Sequence, residues 1–405
     1  MKTIAVIGAG TMGLGIAQLA AGHGGAVRLI DVSSEALRRG LDEIRKHFDR
    51  AVAKGRMTGA ERHAAAARIQ LREEIGNLED AELVIEAVVE DLSIKQNVFR
   101  ELETATSQST VLATNTSSLS VTKIAEAVEN PGRVIGMHFF NPVPIMPLVE
   151  VVAGANSHPL AVDAGFAAAT AWGKKAIRVK DSPGFVVNRI ARGYYLEALR
   201  LLGEGVAGVD EIDRLMRVHG GFKMGPFELM DLVGLDVNLA VSTSVWEEME
   251  RDARFTPHEI QRKLVERGQL GRKSGRGFYL YEGDAPPVPA VQVDRRSFHL
   301  SPLLSGAVEA FARRATANKL GATEQYVFAR VLAAILNEAA LALDQGIASR
   351  EDIDIAMRMG TNYPKGPIAW SDEIGLRTLR GLLKALNEST GDNRYAAAKS
   401  IADTT

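Results

Sequence analysis

The stretch Thr3-Ile4-Ala5-Val6-Ile7-Gly8-Ala9-Gly10-Thr11-Met12-Gly13 decides how the first half of this chain is read. Its dense β-branched run, Ile4 to Ile7, reads as a strand, and the residues from Thr11 onward read as a helix. A second apolar run, Val27–Asp31, ends in an acid. A G-x-G-x-x-G alone is weak, but a strand before it, a helix after it and an acid closing the next strand form the setting in which it binds a dinucleotide. Gly8 permits the tight turn, Gly10 lets a pyrophosphate approach the backbone, and Gly13 brings helix and strand together. The whole segment Gly8, Ala9, Gly10, Thr11, Met12 and Gly13 is therefore assigned to the cofactor, with phosphates on the free N–H groups of the helix start. Asp31 can accept hydrogen bonds from both ribose hydroxyls and would repel a 2′-phosphate. Val32, Ser33 and Ser34 bring no arginine to hold one, so the reading is NAD rather than NADP.

Outward from this segment, further strand candidates are Leu83–Ala87, Val111–Thr114, Val134–His138, Leu148–Val152 and Ala176–Val179. Most are continuous apolar runs, as a sheet covered on both faces requires. Helical stretches between them predict right-handed crossovers and a doubly wound parallel sheet over residues 1–182. Ser33 to Ile69 is long for one crossover and breaks at Lys54-Gly55-Arg56, which predicts two helices projecting from the sheet.

The character changes at Asp181-Ser182-Pro183-Gly184. Phe185, Val186, Ile190, Tyr194, Leu196, Leu199 and Leu202 then fall mostly at three- and four-residue steps, the helical period. The pattern runs to about Gly268, and Pro286, Pro287 and Pro289 mark a linker. Beyond it lies an internal repeat. At one constant offset, with no gap, Arg189 matches Arg330, Glu197 matches Glu338, Gly225-Pro226 matches Gly366-Pro367, and Gly234-Leu235 matches Gly375-Leu376. The expected architecture is an α/β Rossmann-type doubly wound domain (1–182) followed by two all-α helical domains related by internal duplication. The first copy is 183–283, a linker and connecting helix span 284–320, and the second copy is 321–405.

The 405 residues are 46% hydrophobic and 24% charged, with 48 Lys+Arg against 50 Asp+Glu. That balance gives no bulk electrostatic case for nucleic acid or a membrane surface. Cysteine is absent, which excludes disulfides, thiolate nucleophiles and cysteine-held metal centres. Thr3 to Gly22 is uncharged but carries five glycines, unlike a signal or a membrane span, and the apolar run from Val331 is broken by Asn337 and Glu338. A soluble cytoplasmic protein is expected.

Transfer of a hydride from an alcohol requires a group that takes the hydroxyl proton. Seven of the eight histidines lie in helical or loop stretches without metal-ligand spacing. His138 instead ends a strand and opens the loop Phe139-Phe140-Asn141-Pro142-Val143-Pro144, on the sheet edge where open α/β sheets bind ligands. Asn115-Thr116-Ser117-Ser118 closes another strand at that edge. Glu150 interrupts the apolar run Leu148-Val149-Glu150-Val151-Val152, where a carboxylate is costly unless paired. Either it pairs with His138, fixing the tautomer and stabilising the imidazolium, or it faces solvent from an edge strand.

With Asp181-Ser182-Pro183-Gly184-Phe185-Val186-Val187-Asn188-Arg189 and Gly271-Arg272-Lys273-Ser274-Gly275-Arg276-Gly277-Phe278-Tyr279 added, these motifs over residues 1 to about 283 resemble the 3-hydroxyacyl-CoA dehydrogenase family. The second repeat copy resembles the extra helical domain of its longer members. The resemblance implies NAD-dependent oxidation of an (S)-3-hydroxyacyl-CoA, with His138 as general base and Glu150 as its partner. It places Ser117 and Asn188 on the substrate oxygen, and Glu90, Lys95, Asn115, Ser117, Asn141 and Lys273 around the cofactor. It also implies that the helices near Lys54 cover the CoA moiety, and that the duplicated chain is a pseudo-dimeric monomer or a homodimer. Under the repeat, Ala329 stands for Asn188, so only the first copy would be catalytic. The alternatives are a related dehydrogenase of a non-CoA hydroxy acid or sugar acid, and a non-catalytic nucleotide-binding protein.

Overall fold

The computed structural model describes residues 3–404. The chain forms two compact units, Met1–Phe185 and Val186–Thr405.

In the first unit, β1 (Thr3–Ile7), α1 (Thr11–Gly22), β2 (Ala26–Ile30), α2 (Ser34–Ala53), α3 (Gly59–Ala67) and β3 (Ile69–Arg72) are followed by β4 (Leu83–Glu86), α4 (Leu92–Ala105), β5 (Val111–Thr114) and α5 (Val121–Ala125). Then come β6 (Val134–Phe139), β7 (Leu148–Ala153), α6 (Pro159–Ala171) and β8 (Lys175–Lys180). They build one eight-stranded sheet in the order β3-β2-β1-β4-β5-β6-β7-β8. The order departs from the expected parallel sheet in one respect: β7 runs antiparallel to β6, and β8 pairs parallel with β7. Phe140–Pro147 joins β6 to β7 without a helix, too short a path for the crossover that a parallel return needs. Strand β3 was not anticipated either. Its Ile-Gln-Leu-Arg alternation follows a charged helical stretch, and as an edge strand it lacks the continuous apolar signature.

Both expected helices between β2 and β3 form. Lys54 caps the first, and Gly55 takes φ +66° at the break. A capping box of Thr58 and Glu61 starts the second. They do not simply project: Leu37, Ile44, Phe48 and Ala65 join the core of the unit, while the segment around Lys54 stays exposed.

The second unit comprises α7 (Val187–Gly203), α8 (Val209–Val218), α9 (Pro226–Val233), α10 (Leu235–Glu248) and α11 (Glu259–Glu266), then α12 (Pro302–Ala315), α13 (Ala322–Asp344), α14 (Arg350–Gly360), α15 (Pro367–Ile374), α16 (Leu376–Thr390) and α17 (Lys399–Ala402). From residue 186 onward, the three expected segments lie within this one unit, in which α7 packs against α13. Gly193 sits at the crossing, where a Cβ would lie 3.0 Å from the backbone of Ala334, the residue found at the constant sequence offset from it. Other positions at that offset also behave alike. Asp213 accepts the N–H groups of Phe227 and Glu228 at the start of α9, and Asp354 accepts those of Ile368 and Ala369 at the start of α15. Gly234 and Gly375, at φ +101° and +90°, make the sharp joints after these helices. Helix α13 has the length and hydropathy of a membrane span, but 83% of its apolar window is buried inside the chain, as a core helix.

Candidate active site

The turn from β1 to α1 has the geometry a bound phosphate requires. Gly8 takes φ +105°, and a Cβ there would meet the Ala87 carbonyl oxygen at 2.6 Å. A Cβ on Gly13 would fall 1.9 Å from the Gly8 carbonyl oxygen, whereas nothing lies within 4 Å of one on Gly10. Helix and strand are thus close behind the loop and open in front of it. Gly10 is the N-cap and provides no side chain, and the first intrahelical bond is Leu14 N–H to Gly10 O. The preceding N–H groups of Thr11, Met12 and Gly13 have no acceptor in the helix and stand ready for an anion. Asp31 follows β2, where its carboxylate accepts the N–H groups of Ala9 at 2.7 Å and Ser33 at 2.9 Å. These bonds hold the acid against the glycine loop, and Val32 beside it is 92% exposed, leaving an apolar surface next to it. The donor set and the open cradle fit a dinucleotide.

A buried charge network stands at the ends of β4 and β5. Lys95 Nζ lies 2.7 Å from Glu86 and 3.3 Å from Glu90. Glu86 also accepts the Thr114 hydroxyl and the Val88 N–H. Glu90 Oε1 accepts the Thr116 hydroxyl at 2.7 Å and the N–H groups of Ser117 and Ser118 at 2.9 and 3.1 Å. Burial raises the Glu90 carboxyl, but Lys95 and these hydrogen bonds outweigh it and hold it below the usual carboxylate range. Glu90 and Lys95 therefore shape the loop that presents Ser117. Asn115 Oδ1 accepts the Phe139 N–H at 2.9 Å, locking that loop to the end of β6.

At the end of β6, His138 faces Glu150 directly across the antiparallel pair. Nδ1 lies 2.6 Å from Glu150 Oε2. A carboxylate only accepts, so Nδ1 carries the hydrogen and Nε2 is the proton-accepting atom. Glu150 is fully buried on a strand enclosed by β6 and β8, which excludes the solvent-facing reading. The rings of Phe140 and Phe185 stand 4.5 and 5.7 Å from the imidazole, which is buried. The β6–β7 reversal unforeseen in the sequence is what brings this pair together.

Other sequence-selected residues lie elsewhere. Asn141 is exposed on the loop after β6, and Lys54 is exposed beyond α2. In the second unit Asn188 is the second residue of α7, and Lys273 pairs with Asp236 at 2.6 Å. Two contributors went unrecognised in the sequence. Glu86 carries a signal like that of Glu150, a carboxylate within an otherwise apolar strand, here at its end. Asp181 accepts bonds from Ser120, Val121 and Thr122, tying the start of α5 to the segment after β8.

Residues 3–182 match the NAD binding domain of 3-hydroxyacyl-CoA dehydrogenase, and residues 184–281 and 326–404 both match that enzyme's C-terminal domain. The chain is 38% identical to the 3-hydroxyadipyl-CoA dehydrogenase of Escherichia coli K12, over 98% of this chain and 95% of that one. It is 43% identical to a probable 3-hydroxybutyryl-CoA dehydrogenase of Bacillus subtilis, over 70% of this chain and 98% of the relative. The crystal structure of an E. coli K12 protein described as 3-hydroxybutyryl-CoA dehydrogenase superposes with a TM-score of 0.88 at 36% identity, covering 99% of this chain and 97% of that one. By both of its units, this chain belongs to the 3-hydroxyacyl-CoA dehydrogenase family.

Proposed function

We propose that the protein oxidises (S)-3-hydroxyacyl-CoA to 3-oxoacyl-CoA, in the breakdown of fatty or aromatic acids or in 3-hydroxybutyryl-CoA metabolism. The observation that carries this reading is the buried His138–Glu150 pair, with Nε2 left as the proton acceptor at the ligand-binding edge of the sheet. NAD⁺, when bound, supplies the hydride acceptor. His138 Nε2 takes the proton of the 3-hydroxyl, and Glu150 stabilises the imidazolium that forms. In the reverse direction the imidazolium returns the proton to the forming alcohol. Ser117 and Asn188 hold the substrate oxygen. The Gly8–Gly13 loop, Asp31, Glu90, Lys95, Asn115, Asn141 and Lys273 serve the cofactor, and Lys54 lies toward the CoA moiety.

The helical unit is read as two copies, 183–283 and 321–405, joined by 284–320. The matching roles of positions one repeat apart support this, as does the match of one domain description to both segments. Only the first copy is catalytic, since Ala329 takes the place of Asn188. The protein works in the cytoplasm, without nucleic acid or membrane partners, as a pseudo-dimeric monomer or a homodimer.

The test follows NADH absorbance during reduction of acetoacetyl-CoA, with NADPH and free acetoacetate as controls. Turnover with NADH and the CoA ester alone is expected, reduced roughly 10²–10⁴-fold in His138→Ala. No turnover despite NADH binding, or full activity in His138→Ala, overturns the assignment.

A further inference from the structure

Among the large buried cations of the second unit, Arg192 is the exception. Arg189 and Arg330 are each paired with a buried glutamate at 2.6 Å. Arg192 is 3% exposed, yet no carboxylate pairs with it among the described residues. Its Nε donates to the Asn188 carbonyl at 3.0 Å, and its Nη1 donates to the Asn238 carbonyl and the Ser242 hydroxyl at 3.1 and 2.8 Å. Ser242 passes its own hydrogen to the Asn238 carbonyl, so these groups hold the guanidinium in place without neutralising it. The Tyr195 ring lies under its plane at 4.9 Å. Nη2 makes no hydrogen bond among the described residues. A buried charge without a counter-ion is retained against a large desolvation cost, so its missing partner is chemically informative.

A second unsatisfied group accompanies it. The Tyr363 hydroxyl is buried without a partner, and its ring is held edge-on to Phe222 at 4.9 Å. The same ring packs 5.8 Å from that of Tyr194, whose neighbour in the chain, Tyr195, lies under Arg192. A guanidinium N–H and a phenolic O–H, both lacking acceptors and walled by aromatic rings, match the two oxygens of a carboxylate. A phosphate would bring twice the charge to only two open donors.

Position along α7 says which carboxylate. Arg192 lies one helical turn beyond Asn188, about 6 Å along the axis. In a six-carbon acyl chain the terminal carboxyl carbon stands three C–C bonds beyond C3, roughly 4 Å when extended. The repeat counterparts of Asn188 and Arg192 are Ala329 and Ala333, so the helix that lacks the first group lacks the second too. We infer that Arg192 and Tyr363 form the receptor for a carboxylate at the far end of the acyl chain, and that the substrate is a six-carbon ω-carboxy-3-hydroxyacyl-CoA. This rests on the assignment of Asn188 to the substrate oxygen. It also gives the second helical copy, through Tyr363, a part in substrate selection.

The test compares 3-oxoadipyl-CoA with 3-oxohexanoyl-CoA, two six-carbon esters that differ in the terminal carboxylate. The wild type is expected to show a kcat/KM ratio above about 100 in favour of the dicarboxylate, as pairing of a buried cation implies. Arg192→Met should bring the ratio to near one, and Tyr363→Phe, which keeps the ring, should lower it about tenfold. Calorimetry of adipyl-CoA and hexanoyl-CoA with the cofactor-free protein reads the same preference without chemistry. A wild-type ratio near one, or a ratio unchanged in both variants, overturns the carboxylate receptor. No turnover of either ester overturns the dehydrogenase reading instead, and the calorimetric preference still decides the receptor.

Discussion

Arg330 Nε lies 2.7 Å from Glu197 Oε1 between α13 and α7, and Arg189 Nε lies 2.6 Å from Glu338 Oε1 in the reverse sense. Glu338 follows Glu197 in the sequence at the same offset at which Arg330 follows Arg189. The surface of α7 is therefore complementary to a helix carrying its own Arg and Glu at the same spacing. Such reciprocity is the mark of a two-fold, isologous contact, here made within one chain.

That reciprocity predicts the behaviour of a truncated chain. Ending the protein at residue 284 strips α13 from α7 and leaves Arg189, Glu197 and the apolar face around Gly193 uncovered. The fragment should pair with itself, Arg189 of one copy against Glu197 of the other. Light scattering is expected to report a dimer, and a monodisperse monomer would refute the self-complementary surface.

Acid should loosen the same contact. Burial raises the Glu197 carboxyl, but Arg330, Arg200 and Arg394 outweigh it and bring it from 4.5 to about 2. A carboxyl depressed by folding lends stability above its unfolded value, and that stability is lost as pH falls from about 4.5 toward 2. The shift corresponds to about 3 kcal/mol. Denaturant titrations of wild type and Glu197→Gln should differ most near pH 7 and converge only as the pH approaches 2. Parallel curves across that range would show that Glu197 carries no such linkage.

The Lys95 network makes a separate claim about stability. Lys95→Met keeps the volume of the side chain but leaves Glu86 buried and unpaired, a change that costs about 3–5 kcal/mol. Because Glu90 also organises the N–H groups of Ser117 and Ser118, NADH affinity should fall along with stability. A variant with unaltered melting temperature and unaltered NADH affinity would assign Lys95 no structural weight.

Much of this arrangement is readable from residue order, for reasons that are local. The glycine loop, Asp31 and the strand ends are visible because backbone sterics and strand periodicity act over a few residues. The direction of β7 is not, since it depends on how eight loop residues close, and with it went certainty about whether Glu150 met His138 or solvent. Glu86 was legible by the argument applied to Glu150, a carboxylate in an apolar run, but its partner Lys95 lies on the next helix. Arg192 was hidden for a different reason. At helical spacing it resembles any exposed arginine of an amphipathic helix, and only packing by α10 reveals that it is buried with no carboxylate paired to it among the described residues.

The His138–Glu150 pair predicts a specific failure in Glu150→Gln. The amide keeps the shape of the carboxylate and can still accept from Nδ1–H, so the buried site should fold and NADH binding should persist. What is lost is the negative charge that stabilises the imidazolium once the substrate proton arrives. The amide can also turn its NH₂ toward Nδ1, which moves the ring hydrogen to Nε2 and removes the acceptor the reaction needs. Turnover should therefore fall by roughly 10²-fold or more with little change in NADH affinity. Wild-type turnover in a folded Glu150→Gln protein would separate the pair from catalysis and leave Glu150 as a buried structural acid.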